Sequence, residues 1–204
     1  MQAKTAKQVK APLSEWELSK IPRWTEQQMW SGFRAIRDDQ FIPDPNDPEI
    51  YHKIPWRYVE NGCFARAALA RIHLYSLGFP GIKKIFIFGK MHFKTAYSLT
   101  GEMTFKDHVA IAVRIKYTCY ILDPAVCYER PLTLLEWEKN LFCLSTDHTA
   151  EFSVCSAFTM SHNSAFDELD PENEVAIRKD RILTAIELAA EFIEKEMHLL
   201  SQLK

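Results

Sequence analysis

The sequence predicts an α+β domain in which a small antiparallel sheet packs against helices. Capping boxes at Thr25 and Thr133 each precede apolar residues at helical spacing, which is typical of amphipathic helices. Two runs rich in β-branched residues, 109–115 and 118–122, are separated by a very short turn and predict an antiparallel hairpin. Helices and strands do not alternate along the chain, so the pattern does not favour a series of β-α-β units.

Apolar periodicity predicts four helices, at about 25–38, 62–77, 133–141 and 171–202. Gly78 follows the second helix and is a natural stop, because glycine readily adopts the left-handed conformation just past a helix end. The C-terminal helix would be long for a domain of this size.

Less regular segments separate these helices. A short buried strand is expected at 85–88, a polar connection at 90–106, and a further strand at about 152–158. Residues 1–15 are polar and rich in lysine, and we expect them to be loose. The remainder, 16–204, is short enough to form a single domain.

The composition argues against several classes of protein. The formal charge of −2, the pI near 6.4 and the absence of a Lys/Arg block do not indicate nucleic-acid binding. The apolar runs are far shorter than the roughly 20 residues that span a bilayer, so no membrane partner is expected. Five cysteines without a CxxC pair predict no structural zinc, and we expect no other metal or cofactor.

The N-terminal residues suggest where the protein is located. Lys4, Lys7 and Lys10 are not followed by an apolar stretch, so a cleaved signal peptide is not predicted. An odd number of cysteines is consistent with reduced thiols in the cytosol. We therefore expect a cytosolic protein, or one exported without a cleaved signal.

Cys63 is the strongest candidate nucleophile in the sequence. It follows Asn61 and Gly62, where a loop ends and a helix begins. A helix N-terminus carries about half a positive charge and unpaired N–H donors, which favour a thiolate and can receive an oxyanion. Gly62 lets the backbone bend and lets a substrate approach closely. The alternative is that Cys63 is simply a small buried apolar residue.

A catalytic cysteine needs a base, and the base needs a group that orients it. His108 begins one strand of the predicted hairpin and Asp123 ends the other, so the two residues meet at one edge of the sheet. A turn of two or four residues places them on the same face, whereas three residues place them on opposite faces. The sequence of the turn carries no signature that fixes its length. Alternatively, His108 lies at a solvated strand end and Asp123 forms an Asx turn before Pro124.

Together these segments resemble the bacterial protein-glutaminase (protein-glutamine deamidase) family, over about residues 54–140. The order and spacing of Cys63, His108 and Asp123 agree with that family. The resemblance is carried by four blocks, and more weakly by Trp137; the blocks are Gly62–Ala67, Phe86–Gly89, His108–Val113 and Ile121–Val126.

This resemblance implies a papain- or transglutaminase-like cysteine hydrolase core with a Cys63–His108–Asp123 triad. It also implies hydrolysis of a glutamine side-chain amide in a protein substrate, through a thioester on Cys63 and without a cofactor. Asn61 and Gly62 are then the candidate residues for substrate binding and for the oxyanion.

Other functions remain open at the level of sequence. A transglutaminase or a papain-like protease would share the triad, whereas an inactive binding module would use the apolar stripe of Ile186, Ile193 and Met197. Residues 1–50 and 145–204 lie outside the resemblance. Together with the missing signal peptide, this is similar to effector-type deamidases, which bacteria deliver into host cells by a dedicated secretion system. The substrate would then be a host protein.

Overall fold

The computed structural model describes residues 5–14, 18–44, 46–47, 49–159, 162–163 and 174–203, with the backbone alone for 174–182. Within these ranges the helices are α1 (Glu26–Asp38), α2 (Cys63–Ser76), α3 (Leu134–Leu141) and α4 (Glu174–Gln202). None of the described helices combines the length and the apolar character that a membrane span requires.

The strands form an antiparallel sheet and a small separate ribbon. The ribbon pairs β1 (Ile42–Pro43) with β2 (Tyr51–His52). The sheet contains β3 (Lys83–Lys94), β4 (Glu102–Ile115), β5 (Thr118–Leu122), β6 (Leu132–Thr133) and β7 (Glu151–Ser156). These strands lie in the order β6–β5–β4–β3–β7. The α+β prediction is confirmed.

Both predicted capping boxes are present. The Thr25 hydroxyl accepts a hydrogen bond from the backbone N–H of Gln28, and the Thr25 N–H donates one to the side-chain oxygen of Gln28. The same reciprocal pair joins Thr133 and Glu136 at the start of α3. Each box satisfies donors that the first helical turn leaves unpaired, which explains why these helices begin where the sequence predicts.

The hairpin turn contains two residues, which settles the register that the sequence left open. Ile115 pairs with Thr118, and Lys116 in the turn adopts the left-handed conformation with φ 55°. Pairing continues to Ile111 opposite Leu122. Extending the same register places Asp123 opposite position 110, on the face that His108 shares.

The prediction of a short strand followed by a long polar connection at 90–106 is wrong. Strand β3 continues to Lys94 and β4 already begins at Glu102, so only seven residues connect them. A shift in pairing between Phe88 and Met91 interrupts the alternation, with Gly89 at φ 153°. This irregularity hides the continuing strand from a search for strict two-residue periodicity.

The N-terminal segment also differs from expectation, because part of it is ordered against the sheet. Ala6 is fully buried and accepts a hydrogen bond from the hydroxyl of Ser153 at 2.7 Å. Ala11 pairs with Phe152 in both directions. The segment therefore covers the outer edge of β7, whose backbone groups would otherwise lack partners.

The sheet is apolar on both faces. Ile111, Val113 and Leu122 pack with α1, α2 and α4, whereas Ala112 and Ile121 pack on the other face with α3. Helix α4 runs without a break to Gln202, and its predicted start at 171 lies outside the described residues. Of its apolar stripe, Ile186 and Ile193 pack on the domain's own core, and Met197 is exposed.

We predict that Thr25→Ala lowers the free energy of unfolding by about 1 kcal/mol, because the start of α1 loses its cap. Urea denaturation followed by circular dichroism measures the change. Ser31→Ala, on the exposed side of the same helix, is the control and should not destabilise the protein. An equal loss in both variants would contradict the assigned role of the cap.

Candidate active site

Cys63 is the first residue of α2, and the backbone before it is tightly constrained. Gly62 adopts φ 81°, and its N–H donates to the side-chain oxygen of Asn61 at 2.7 Å. A Cβ at position 62 would lie 2.4 Å from the ring of Phe192. Both the left-handed conformation and the close approach therefore require glycine here. The helix begins with the Cys63 thiol half-buried.

His108 and Asp123 form a hydrogen-bonded ion pair in the interior. Their Nε2 and Oδ2 atoms lie 2.7 Å apart, and each side chain is 2% exposed. The same oxygen of Asp123 accepts a second hydrogen bond, from the indole N–H of Trp137 at 2.8 Å. Its other oxygen accepts the backbone N–H of Ala125. Three donors thus fix the carboxylate, which is almost fully buried.

Electrostatics in this pair favour the charged forms of both partners. Burial alone would lower the pKa of His108, but Asp123, with a further contribution from Cys63, raises it to about 9. Burial would raise the pKa of Asp123, but His108, Trp137 and Arg66 hold it below its usual value. At neutral pH the imidazole is therefore protonated beside an ionised carboxylate.

Cys63 is close enough to His108 to help raise the pKa of the imidazole. Because Nε2 of His108 is engaged by Asp123, Nδ1 is the ring nitrogen available to the sulfur. Nδ1 is buried and makes no hydrogen bond within the described part of the chain. Nδ1 is therefore the atom of His108 that is placed to exchange a proton beside Cys63.

Arg66 lies one helical turn after Cys63 and is only 1% exposed. Its guanidinium donates to the backbone oxygens of Tyr58 and Asn61, which precede the nucleophile. Burial lowers the pKa of Arg66, opposed by the nearby Cys63, Asp123 and Glu196. Neighbouring acidic groups thus stabilise the Arg66 charge, and the two hydrogen bonds of its guanidinium connect α2 to the loop before it.

A cavity of about 350 Å³ opens beside the sulfur. One wall carries the pair of His162 and Asp107, whose Nδ1 and Oδ1 atoms lie 2.8 Å apart. The residues that line the cavity include Asn61, Cys63, Phe64, Phe105, Asp107 and His162. The cavity gives a substrate side chain access to Cys63 and to Asn61.

The structure brings Cys63, His108 and Asp123 together, and places Asn61 and Gly62 immediately before the thiol. Sequence reasoning missed two partners of this cluster, Arg66 and Trp137, as parts of the site. An arginine between Ala65 and Ala67, in the apolar first turns of the helix, was the available signal for Arg66.

Two other histidines pair with carboxylates. His92 lies in β3 and pairs with Glu102, although a polar connection was predicted at 90–106. His162 pairs with Asp107. Among the described residues, no group of three or more His, Cys, Asp or Glu side chains could hold a metal ion.

Comparison with known proteins gives concordant results. A family model described as glutaminase matches residues 29–141. The solution structure of protein-glutaminase from Chryseobacterium proteolyticum is similar, with TM-score 0.56, 22% identity and coverage of 78% of this chain and 84% of that chain. A crystal structure of protein-glutaminase gives TM-score 0.54, 21% identity and coverage of 79% and 86%.

A mutant of pro-protein-glutaminase gives TM-score 0.53 and 20% identity, over 91% of this chain and 62% of that chain. No curated protein matches the sequence.

The fold is thus that of papain- and transglutaminase-like α+β proteins, as predicted. The family match covers more than half of the chain, and the chain belongs to this glutaminase family. The protein is therefore an amidohydrolase.

We predict that Trp137→Phe lowers kcat about tenfold, because Asp123 loses a buried donor while the aromatic packing is kept. Trp56→Phe is a matched control, since the Trp56 indole donates to the backbone of Ile36, away from the cluster. Glutaminase assays and thermal melts on both variants measure the effects. Equal losses of kcat in the two variants would contradict a specific role for Trp137.

Proposed function

We propose that this protein is a protein-glutamine deamidase that hydrolyses glutamine side chains to glutamate, with Cys63 as nucleophile, His108 as acid and base, and Asp123 as orienting residue. The observation that carries the proposal is the buried ion pair of His108 and Asp123, with Nδ1 of His108 left to Cys63. Membership of the glutaminase family supports the reaction, and the similarity to protein-glutaminases supports a protein substrate.

In the first half of the reaction, the Cys63 thiolate attacks the side-chain amide carbon of the substrate glutamine. The carbonyl π electrons move to oxygen and form an oxyanion. When that intermediate collapses, the carbon–nitrogen bond breaks, and the His108 imidazolium gives its Nδ1 proton to the departing nitrogen. Ammonia leaves, and a thioester on Cys63 remains.

In the second half, neutral His108 removes a proton from water, and the resulting hydroxide adds to the thioester carbon. The carbon–sulfur bond then breaks, which releases the carboxylic acid and restores the thiolate beside the imidazolium. Asp123 stabilises the imidazolium in both halves and keeps Nε2 occupied, so that only Nδ1 exchanges protons.

The start of α2 supplies donors for the oxyanion. The N–H of Cys63 belongs to the unpaired first turn of the helix. Asn61 lines the cavity, and its side-chain oxygen is occupied by the Gly62 N–H. Its amide nitrogen is therefore the part of Asn61 that we assign to the substrate. The Gly62 N–H is already bonded and is not a donor in this scheme, so Gly62 contributes by its conformation.

We extend the proposal to the setting in which the enzyme acts. The sequence-level similarity to effector-type deamidases supports a host protein as substrate and delivery by a dedicated bacterial secretion system. Mass-spectrometric mapping of Gln→Glu changes in host cells that express the protein tests this point. Conversion at a single site of one host protein supports it, whereas host proteins without any converted glutamine contradict it.

We predict that Cys63→Ala lowers ammonia release from casein by about 10⁴-fold or more, because the thioester can no longer form. The matched control is Cys143→Ala, which removes an exposed cysteine and should leave the rate unchanged. Gln→Glu conversion, measured by mass spectrometry, should disappear in the first variant and persist in the second. Retained conversion in a folded Cys63→Ala protein would end the proposal.

The same assay separates the related activities. A labelled primary amine is added to the wild-type reaction, and chain cleavage is followed on a denaturing gel. Ammonia released in step with new glutamate supports a deamidase. Amine incorporation in preference to glutamate would indicate a transglutaminase, and cleavage of casein would indicate a protease.

A further inference from the structure

Helix α4 contacts the loop that leads to the nucleophile, although it lies outside the residues matched by the glutaminase family model. The carboxylate of Glu196 accepts the backbone N–H of Arg57 at 2.5 Å. The backbone N–H of Tyr58 also lies close enough to favour the charged form of this carboxyl. One side chain of α4 thus satisfies an amide in a loop where no strand or helix supplies an acceptor.

Phe192, one helical turn before Glu196, contacts the same loop at two points. Its ring stacks on Tyr58 with centroids 5.4 Å apart. The ring edge also fills the space beside Gly62, where even a Cβ would clash. Helix α4 therefore contacts both the beginning and the end of the segment 57–62.

Arg66 also holds this segment. Its guanidinium donates to the backbone oxygens of Tyr58 and Asn61, while Glu196 accepts from the N–H of Arg57. Arg66 also acts on the charge of Glu196, which burial otherwise disfavours, since burial raises the pKa of this carboxyl. A half-buried carboxylate and a buried guanidinium thus bind one short piece of backbone from two helices.

We propose that Glu196 is a positioning residue, which holds the loop 57–62 so that Asn61 and Gly62 present the Cys63 thiol to His108. Glu196 does not touch the reacting atoms and acts through the backbone of Arg57 and Tyr58. This inference rests on the proposed function of Cys63.

The test uses Glu196→Ala, Glu196→Gln and Glu196→Asp in the full chain, with Glu187→Ala as control because Glu187 is exposed on the same helix. Three quantities are measured: kcat and KM for a glutamine peptide, the rate at which iodoacetamide alkylates Cys63, and the thermal midpoint. The alkylation rate reports the placement of the thiol without requiring turnover.

We expect Glu196→Ala to lower kcat by about 10- to 100-fold and to leave KM within about threefold, because small misplacements of reacting groups have effects of this size. Cys63 alkylation should slow in the same variant. Glu196→Gln keeps an acceptor for the Arg57 amide and should recover kcat to within about fivefold of wild type. Glu187→Ala should match wild type.

Glu196→Asp retains the charge but is one methylene shorter, so it keeps the test decisive if the alanine variant does not fold. We expect it to lose kcat by about tenfold, because the carboxylate no longer reaches the loop. Thermal destabilisation of these variants with unchanged kcat and alkylation would overturn the proposal and leave Glu196 a purely structural residue.

A wild-type protein without glutaminase activity would refute the proposed function separately. In that case slow alkylation in Glu196→Ala would still support positioning of the thiol, whereas unchanged alkylation would overturn it.

Discussion

The ion pair of His108 and Asp123 is the contact on which the rest of the site depends. Two opposite charges are held 2.7 Å apart in the interior. Removing them from water costs free energy, which is offset only when every hydrogen-bond partner is in place. The two-residue turn after Ile115 puts both side chains on one face, and Trp137 fixes the carboxylate from α3. One nitrogen of the imidazole remains for Cys63. This single pair therefore constrains the sheet register, the position of α3 and the start of α2.

The segments that carry the chemistry were predictable because their signals are local. Gly62 before Cys63 and Gly78 after the helix mark both ends of α2 within a few residues of sequence. The β-branched runs around the turn predicted the hairpin, and therefore that His108 and Asp123 share an edge. Local signals did not give the turn length, because a left-handed lysine replaces the usual glycine or asparagine.

The remaining features depend on contacts between distant segments, which a single sequence does not record. Trp137 lies in the predicted helix 133–141 and carries the family resemblance only weakly, yet its indole N–H donates to Asp123. In the sequence, Glu196 resembles any polar residue of a long helix. Only the folded chain brings its carboxylate close to the backbone N–H groups of Arg57 and Tyr58. The extension of β3 was hidden for a different reason, since the irregularity at Gly89 breaks the alternation that identifies strands.

A nuclear magnetic resonance titration of the His108 imidazole measures whether the buried pair is charged. We expect the imidazole pKa to lie near 9, well above the ordinary value of about 6.5, and Asp123→Asn to lower it markedly. A wild-type pKa at or below the ordinary value would contradict the assigned ion pair, because burial would then outweigh the carboxylate and no charged pair would exist at neutral pH.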